Sequence, residues 1–181
     1  MALRQTDRIS LAKAVRAFKG NRKGSAAVEF AMIALPFFMM LFAIIETSLV
    51  FFAQQSLETA TQDTARLLLT GQAQTAGYSQ SQFKTALCNN LTSLFDCTNG
   101  IYINVTNYAN FGAVAPTTPI DGSGNFVNNM QYSPGGSGVI TLVQTYYMWP
   151  IYVTGLGYNI ANVNGHYHLL AATAAFRNEP F

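Results

Sequence analysis

Charge is scarce in this chain. Only 10% of its 181 residues are Asp, Glu, Lys or Arg, while 50% are hydrophobic; about a quarter charged is usual for a soluble domain. Few groups remain to do chemistry. There are two histidines, His166 and His168, and two cysteines, Cys88 and Cys97. No Gly-x-Ser-x-Gly elbow, phosphate-binding loop or zinc-ligand cluster occurs. His166 and His168 would share a face of a strand, but two ligands without a nearby acid leave a metal site incomplete, and packing is the simpler role. Asp121, Ser123 and Asn125 have calcium-loop spacing. Phe126 stands where that loop needs Gly and Tyr132 where it needs the closing Glu, so an EF-type loop is excluded. These gaps argue against an enzyme, a metal site or a cofactor.

What charge there is lies unevenly. Up to Gly24 the chain carries Arg4, Arg8, Lys13, Arg16, Lys19, Arg22 and Lys23 against Asp7 alone. From Ser25 onward only Arg66, Lys84 and Arg177 oppose seven acids. A basic head that abuts an apolar run reads as the cytoplasmic flank of a membrane segment rather than a nucleic-acid arm. The run itself holds no charge from Phe30 to Ile45, and after Glu46 it resumes to Ala53. Val28 to Ala53 is long enough to cross a bilayer, which takes about 20 residues. Glu46 must then lie near the outer interface or face a partner helix. Pro36 falls inside the run and weakens the local hydrogen-bond ladder. A cleaved secretory signal is a poor fit: the apolar core is too long and no small-x-small site follows.

The helical pattern continues beyond the apolar run. Leu57, Ala60, Thr64, Leu67 and Leu68 share one side, with Glu58, Gln62 and Asp63 on the other, and Gly71 suits a C-cap. The spacing predicts one helix from about Ala26 to Thr70. Phe83, Leu87, Leu91 and Leu94 predict a second, short helix from roughly Ser79 to Leu94. Outside the cytoplasmic membrane, Cys88 and Cys97 are expected to form a disulfide. The alternation of Ile101, Ile103 and Val105 predicts a half-buried strand. Ala109–Gly138 is rich in Gly, Pro, Asn and Ser and reads as a long irregular excursion. "GVITLVQTYYMWP" predicts a strand covered on both faces and stopped at Pro150. The tail "YHLLAATAAFRNEPF" is open: its alanines favour helix, its position suits a last strand. Tyr146, Tyr147, Trp149 and Tyr152 are the one candidate ligand platform, for a sugar, set against ordinary packing.

"KGSAAVEF" gives a Gly, four small or apolar residues, a Glu and an aromatic after a basic head. That order resembles the processing site of type IV prepilins and pseudopilins. With "GSAAVEFAMIALPFF", the long helix, the Cys pair and the ending "AATAAFRNEPF", the chain resembles the TadE-like pseudopilins of tight-adherence (Tad/Flp) pilus systems. The resemblance implies a type IV pilin-like α+β fold, with a long transmembrane helix packed on a small antiparallel sheet and a short second helix. It implies a leader over 1–24, a membrane part over 25–53 and an external, periplasmic domain over 54–181. It implies cleavage by a prepilin peptidase between Gly24 and Ser25, with Glu29 and Phe30 completing the motif, and assembly roles for Glu29, Pro36 and Glu46. The implied partners are that peptidase, a TadF-like pseudopilin, the major Flp pilin, the inner-membrane assembly platform and membrane lipid. The implied location is the inner membrane, single pass with the N-terminus cytoplasmic, or the pilus itself. A TadG-like protein is a rival within the class. A signal-anchored periplasmic binding module or enzyme with an aromatic ligand site is the rival outside it.

Overall fold

The computed structural model describes residues 24–155 and 157–181; the basic stretch before Gly24 lies outside them. The described chain falls into two compact units divided between Phe42 and Ala43. The boundary lies within helix α1, Ser25–Leu69, a continuous 45-residue helix that meets the sequence expectation to within a residue at each end. In the first unit the residues of α1 are exposed, with only Ala34 and Met39 partly covered. Pro36 sits inside the helix without ending it.

The second unit is built on a three-stranded antiparallel sheet in the order β1-β2-β3: β1 Ile101–Tyr108, β2 Ile140–Pro150 and β3 Tyr167–Arg177. β2 is central. Its residues Ile140–Tyr147 are all buried, which is what its unbroken β-branched and aromatic run requires. Helices cover one face. Val50, Ala53, Leu57 and Leu68 of α1, with Phe83 and Leu87 of helix α3 (Gln80–Asn89), pack against Ile101, Ile103, Val105, Val143, Tyr147, Leu170 and Ala172. Leu57, Phe83 and Leu87 are fully buried, each worth about 1.5–3 kcal/mol of transfer free energy. The long excursion and the turn after β2 cover the other face, where Tyr146, Val163 and Leu169 meet Tyr102, Ile120, Phe126, Met130 and Met148. The excursion also returns to the free edge of β1. Val105 donates to the Gln131 carbonyl at 2.8 Å, and Ser133 donates to that of Val105 at 2.9 Å. An otherwise open edge is thereby partly paired.

Gly71 ends α1 in the left-handed conformation, φ 74°, as its sequence position suggested. A Cβ there would also run into the ring of Phe181. A one-turn helix α2, Gln72–Thr75, follows. α3 opens on a capping box: Ser79 accepts from the Gln82 amide, and the Gln82 side chain accepts from the Ser79 amide.

Three expectations need correction or completion. The second helix stops at Asn89, not Leu94. Cys97 bonds to Cys88 with their Cα atoms 6.0 Å apart. A helix carried on through those nine residues would move the chain about 13 Å along its axis, so the disulfide requires the turn at Asn90. Leu94 is accordingly exposed. The tail is strand β3, paired with β2 along its full eleven residues. Helix propensity yields because the buried β2 needs a partner for its second row of backbone groups. His166 is not in a strand beside His168. It lies in the turn before β3 at φ 64°, while His168 donates from Nδ1 to the Ile160 carbonyl at 2.6 Å.

Candidate functional site

Gly24 to Phe30, the motif picked out in the sequence, is exposed throughout. Among the described residues, its chain neighbours aside, no heavy atom lies within 4 Å of where a Cβ on Gly24 would stand. The Ser25 hydroxyl donates to Glu29 Oε1 at 2.8 Å across the first turn of α1. Phe30 is 70% exposed. The arrangement offers an accessible backbone at Gly24–Ser25 and a carboxylate one helical turn beyond it, near the positive end of the helix dipole.

Glu46 has a wholly different environment. It is buried, at 7% exposure, in line with Val50, Ala53 and Leu57 on the face of α1 turned to the sheet. Its carboxylate accepts from the backbone amides that follow β2: Tyr152 at 2.6 Å and Val153 at 3.1 Å. One turn of the same helix adds a contact between the hydroxyls of Thr47 and Tyr158. Farther along, Gln54 donates to the Ala171 carbonyl of β3 at 2.8 Å. These side chains clasp the sheet and its connecting turn to α1. Sequence reasoning found Glu46 and missed its partners, because backbone amides carry no residue signature. The available signal was its register with Val50, Ala53 and Leu57.

The four aromatics singled out as a platform do not converge. Tyr146 lies on the loop-covered face, its hydroxyl donating to the Thr117 carbonyl at 2.5 Å. Tyr147 and Trp149 lie on the helix-covered face and stack with Phe95 of the disulfide loop, with ring centroids 4.9 and 6.2 Å away. The Asp96 amide donates to the Tyr147 hydroxyl at 3.2 Å. The cluster therefore secures the disulfide loop. Tyr152 is 82% exposed beside an open groove lined by Tyr147 and Trp149.

Among the described residues no group of three His, Cys, Asp or Glu side chains is placed to hold a metal. Asp121 is used locally: it accepts from the amides of Asn125 and Ser123 at 2.8 and 2.9 Å. The Asn125 amide is the main cause that holds its carboxyl below the usual range.

One described helix is long and apolar enough to cross a membrane, and none of its most apolar 18 residues is buried. A long apolar helix followed by a small three-stranded antiparallel sheet and short helices is a pilin-like α+β arrangement. A family model described as TadE-like protein matches residues 24–66. The match starts at Gly24 and ends before the sheet, so the similarity to TadE-like proteins covers most of α1 and none of the strands. No curated protein and no solved structure matches the chain.

Proposed function

We propose that the protein is a minor pilin, or pseudopilin, required to build a Tad/Flp-type pilus used in adhesion or surface attachment. It is made as a single-pass inner-membrane precursor, its basic head cytoplasmic and its sheet domain periplasmic. A prepilin peptidase cuts once, between Gly24 and Ser25. The observation that carries this reading is the TadE-like match beginning at Gly24, at the head of the Gly-to-Glu motif.

The exposure of Gly24 supports it, since a protease must reach extended backbone and Gly permits close approach. After the cut Glu29 is the fifth residue. A lone carboxylate in lipid costs several kcal/mol; pairing with the new ammonium of a neighbouring subunit offsets part of that and favours one axial register. Pro36 adjusts the helix between such neighbours. The TadF-like pseudopilin, the major Flp pilin and the assembly platform are the partners of this step.

Mass spectrometry of the membrane-extracted protein tests the cut. The expected N-terminus is Ser25, and only where the peptidase is present. A functional protein that keeps the residues before Ser25 would overturn the proposal. Glu29→Ala is expected to be cleaved normally yet to assemble few pili; wild-type piliation would remove the pairing role.

A further inference from the structure

Between Ala43 and Ala53, α1 carries two opposed faces. Glu46, Val50 and Ala53 are buried against the sheet domain, whereas Ile44, Ile45, Leu49, Phe51 and Phe52 are 45–71% exposed. Polar side chains take over the outer face only later, at Gln55, Thr59, Gln62 and Asp63. Ser48 and Thr47 turn their hydroxyls back to the carbonyls of Ile44 and Ala43, so the band shows little polar surface of its own. The turn clasped to the same level of the helix matches it. It contains no Asp, Glu, Lys or Arg; none occurs from Gly122 to Phe176. It carries Tyr152 and Tyr158, one 82% exposed and the other touching Thr47. The carboxylate of Glu46 is satisfied inward by backbone amides.

We infer that the outer interfacial layer of a phospholipid bilayer covers this band, so that the base of the sheet domain sits among the headgroups with Tyr152 as its anchor. The inference rests on the membrane-anchor reading of α1. Lipid is favoured over a second copy by continuity, because α1 exposes no charged side chain from Phe30 to Phe52 and its exposed residues there are apolar except Ser48. That is roughly 34 Å of helix rise, longer than a hydrocarbon core of about 30 Å, so its last turn falls in the interfacial layer. Tyrosines are enriched there, with the ring in the apolar zone and the hydroxyl in water.

The test uses the full-length chain in phosphatidylcholine–phosphatidylglycerol vesicles. Trp149→Phe removes the one tryptophan, and Tyr152→Trp or Phe38→Trp places a reporter. The Tyr152→Trp chain is expected to lose emission to lipids brominated near the carbonyl end more than to deeply brominated ones, and to be shielded from aqueous iodide. Phe38→Trp is expected to respond to deep bromines. Iodide-accessible Tyr152→Trp with no bromine quenching, while Phe38→Trp is quenched, would overturn the interfacial seat and leave the anchor standing. No bromine quenching of either would overturn both. Shielding of Tyr152→Trp from both quenchers that grows with the protein-to-lipid ratio would show a second copy on the band, which also overturns the inference.

Discussion

Glu46 offers the sharpest test of how the sheet domain is held to its helix. Its carboxylate takes the amides of Tyr152 and Val153 at 2.6 and 3.1 Å in a place 7% exposed. A hydrogen bond to a charged group is worth about 1.5–3 kcal/mol, and each buried donor left without a partner costs about 1–3. Glu46→Ala removes the acceptor of both amides. Water entering the gap recovers part of the loss, so the expected local cost is about 3 kcal/mol. Tenfold corresponds to about 1.4 kcal/mol, so amide exchange at Tyr152 and Val153 should speed up about a hundredfold. Glu46→Gln keeps one oxygen and loses the charge, and about tenfold is expected. Hydrogen exchange with mass spectrometry on detergent-solubilised protein reads both, with the β2–β3 amides as the control. Exchange at Tyr152 and Val153 within about twofold of wild type in Glu46→Ala, with β2–β3 still protected, would refute the clasp. It would return Glu46 to a role at the headgroups or between helices.

Further consequences follow from other contacts. Replacing Cys88 and Cys97 by serine, or reducing the bond, should cost about 2–3 kcal/mol, read as a lower denaturation midpoint. Gly71→Ala forces a side chain into φ 74° and against the Phe181 ring; a loss of at least about 1 kcal/mol is expected in the same assay. Burial pushes the Tyr132 and Tyr146 hydroxyls above the usual phenol range; nearby Tyr78 adds to this at Tyr132, while at Tyr146 the Thr117 side chain opposes it and nearby Tyr108 adds to it. The folded state then holds these protons more tightly than the unfolded chain. That stability is complete below pH about 10 and is lost as pH rises through the folded values. Denaturation midpoints at pH 8, 10 and 11, followed with tyrosinate absorbance, check this. The Tyr132 hydroxyl is buried without a partner, so Tyr132→Phe should be neutral or stabilising at pH 8 and should flatten the alkaline fall.

Periodicity made α1 readable because its second half buries one stripe and keeps Gln62 and Asp63 in water. β2 was readable for the opposite reason: it lacks alternation because both its faces are covered. The excursion over Ala109–Gly138 was legible as irregular, but not as the cover of the second face, since that role depends on scattered residues such as Ile120, Phe126 and Thr117. The end of α3 was misplaced because helical spacing at Leu91 and Leu94 ignores the reach a disulfide imposes. The tail stayed ambiguous because alanine's preference is local, whereas the demand of β2 for a partner is not.

The two glutamates of α1 look alike in the sequence, each a lone acid in or beside an apolar run. Glu46 is spent inside the molecule: both its oxygens accept from backbone amides, and its charge is screened from whatever surrounds the helix. Glu29 is exposed, and its hydrogen bond is a local one from Ser25. Of the two, Glu29 keeps acceptor capacity that a second chain can use. If assembly depends on a carboxylate–ammonium pair, Glu29→Ala should block assembly without loosening the sheet domain, while Glu46→Ala should loosen the turn at Tyr152 whether or not pili form. Exchange at Tyr152 and pilus yield, measured on the same pair of variants, separate the two roles. Crossed results, with Glu29 governing exchange or Glu46 leaving it untouched, would mean that the division between an outward and an inward acid is wrong.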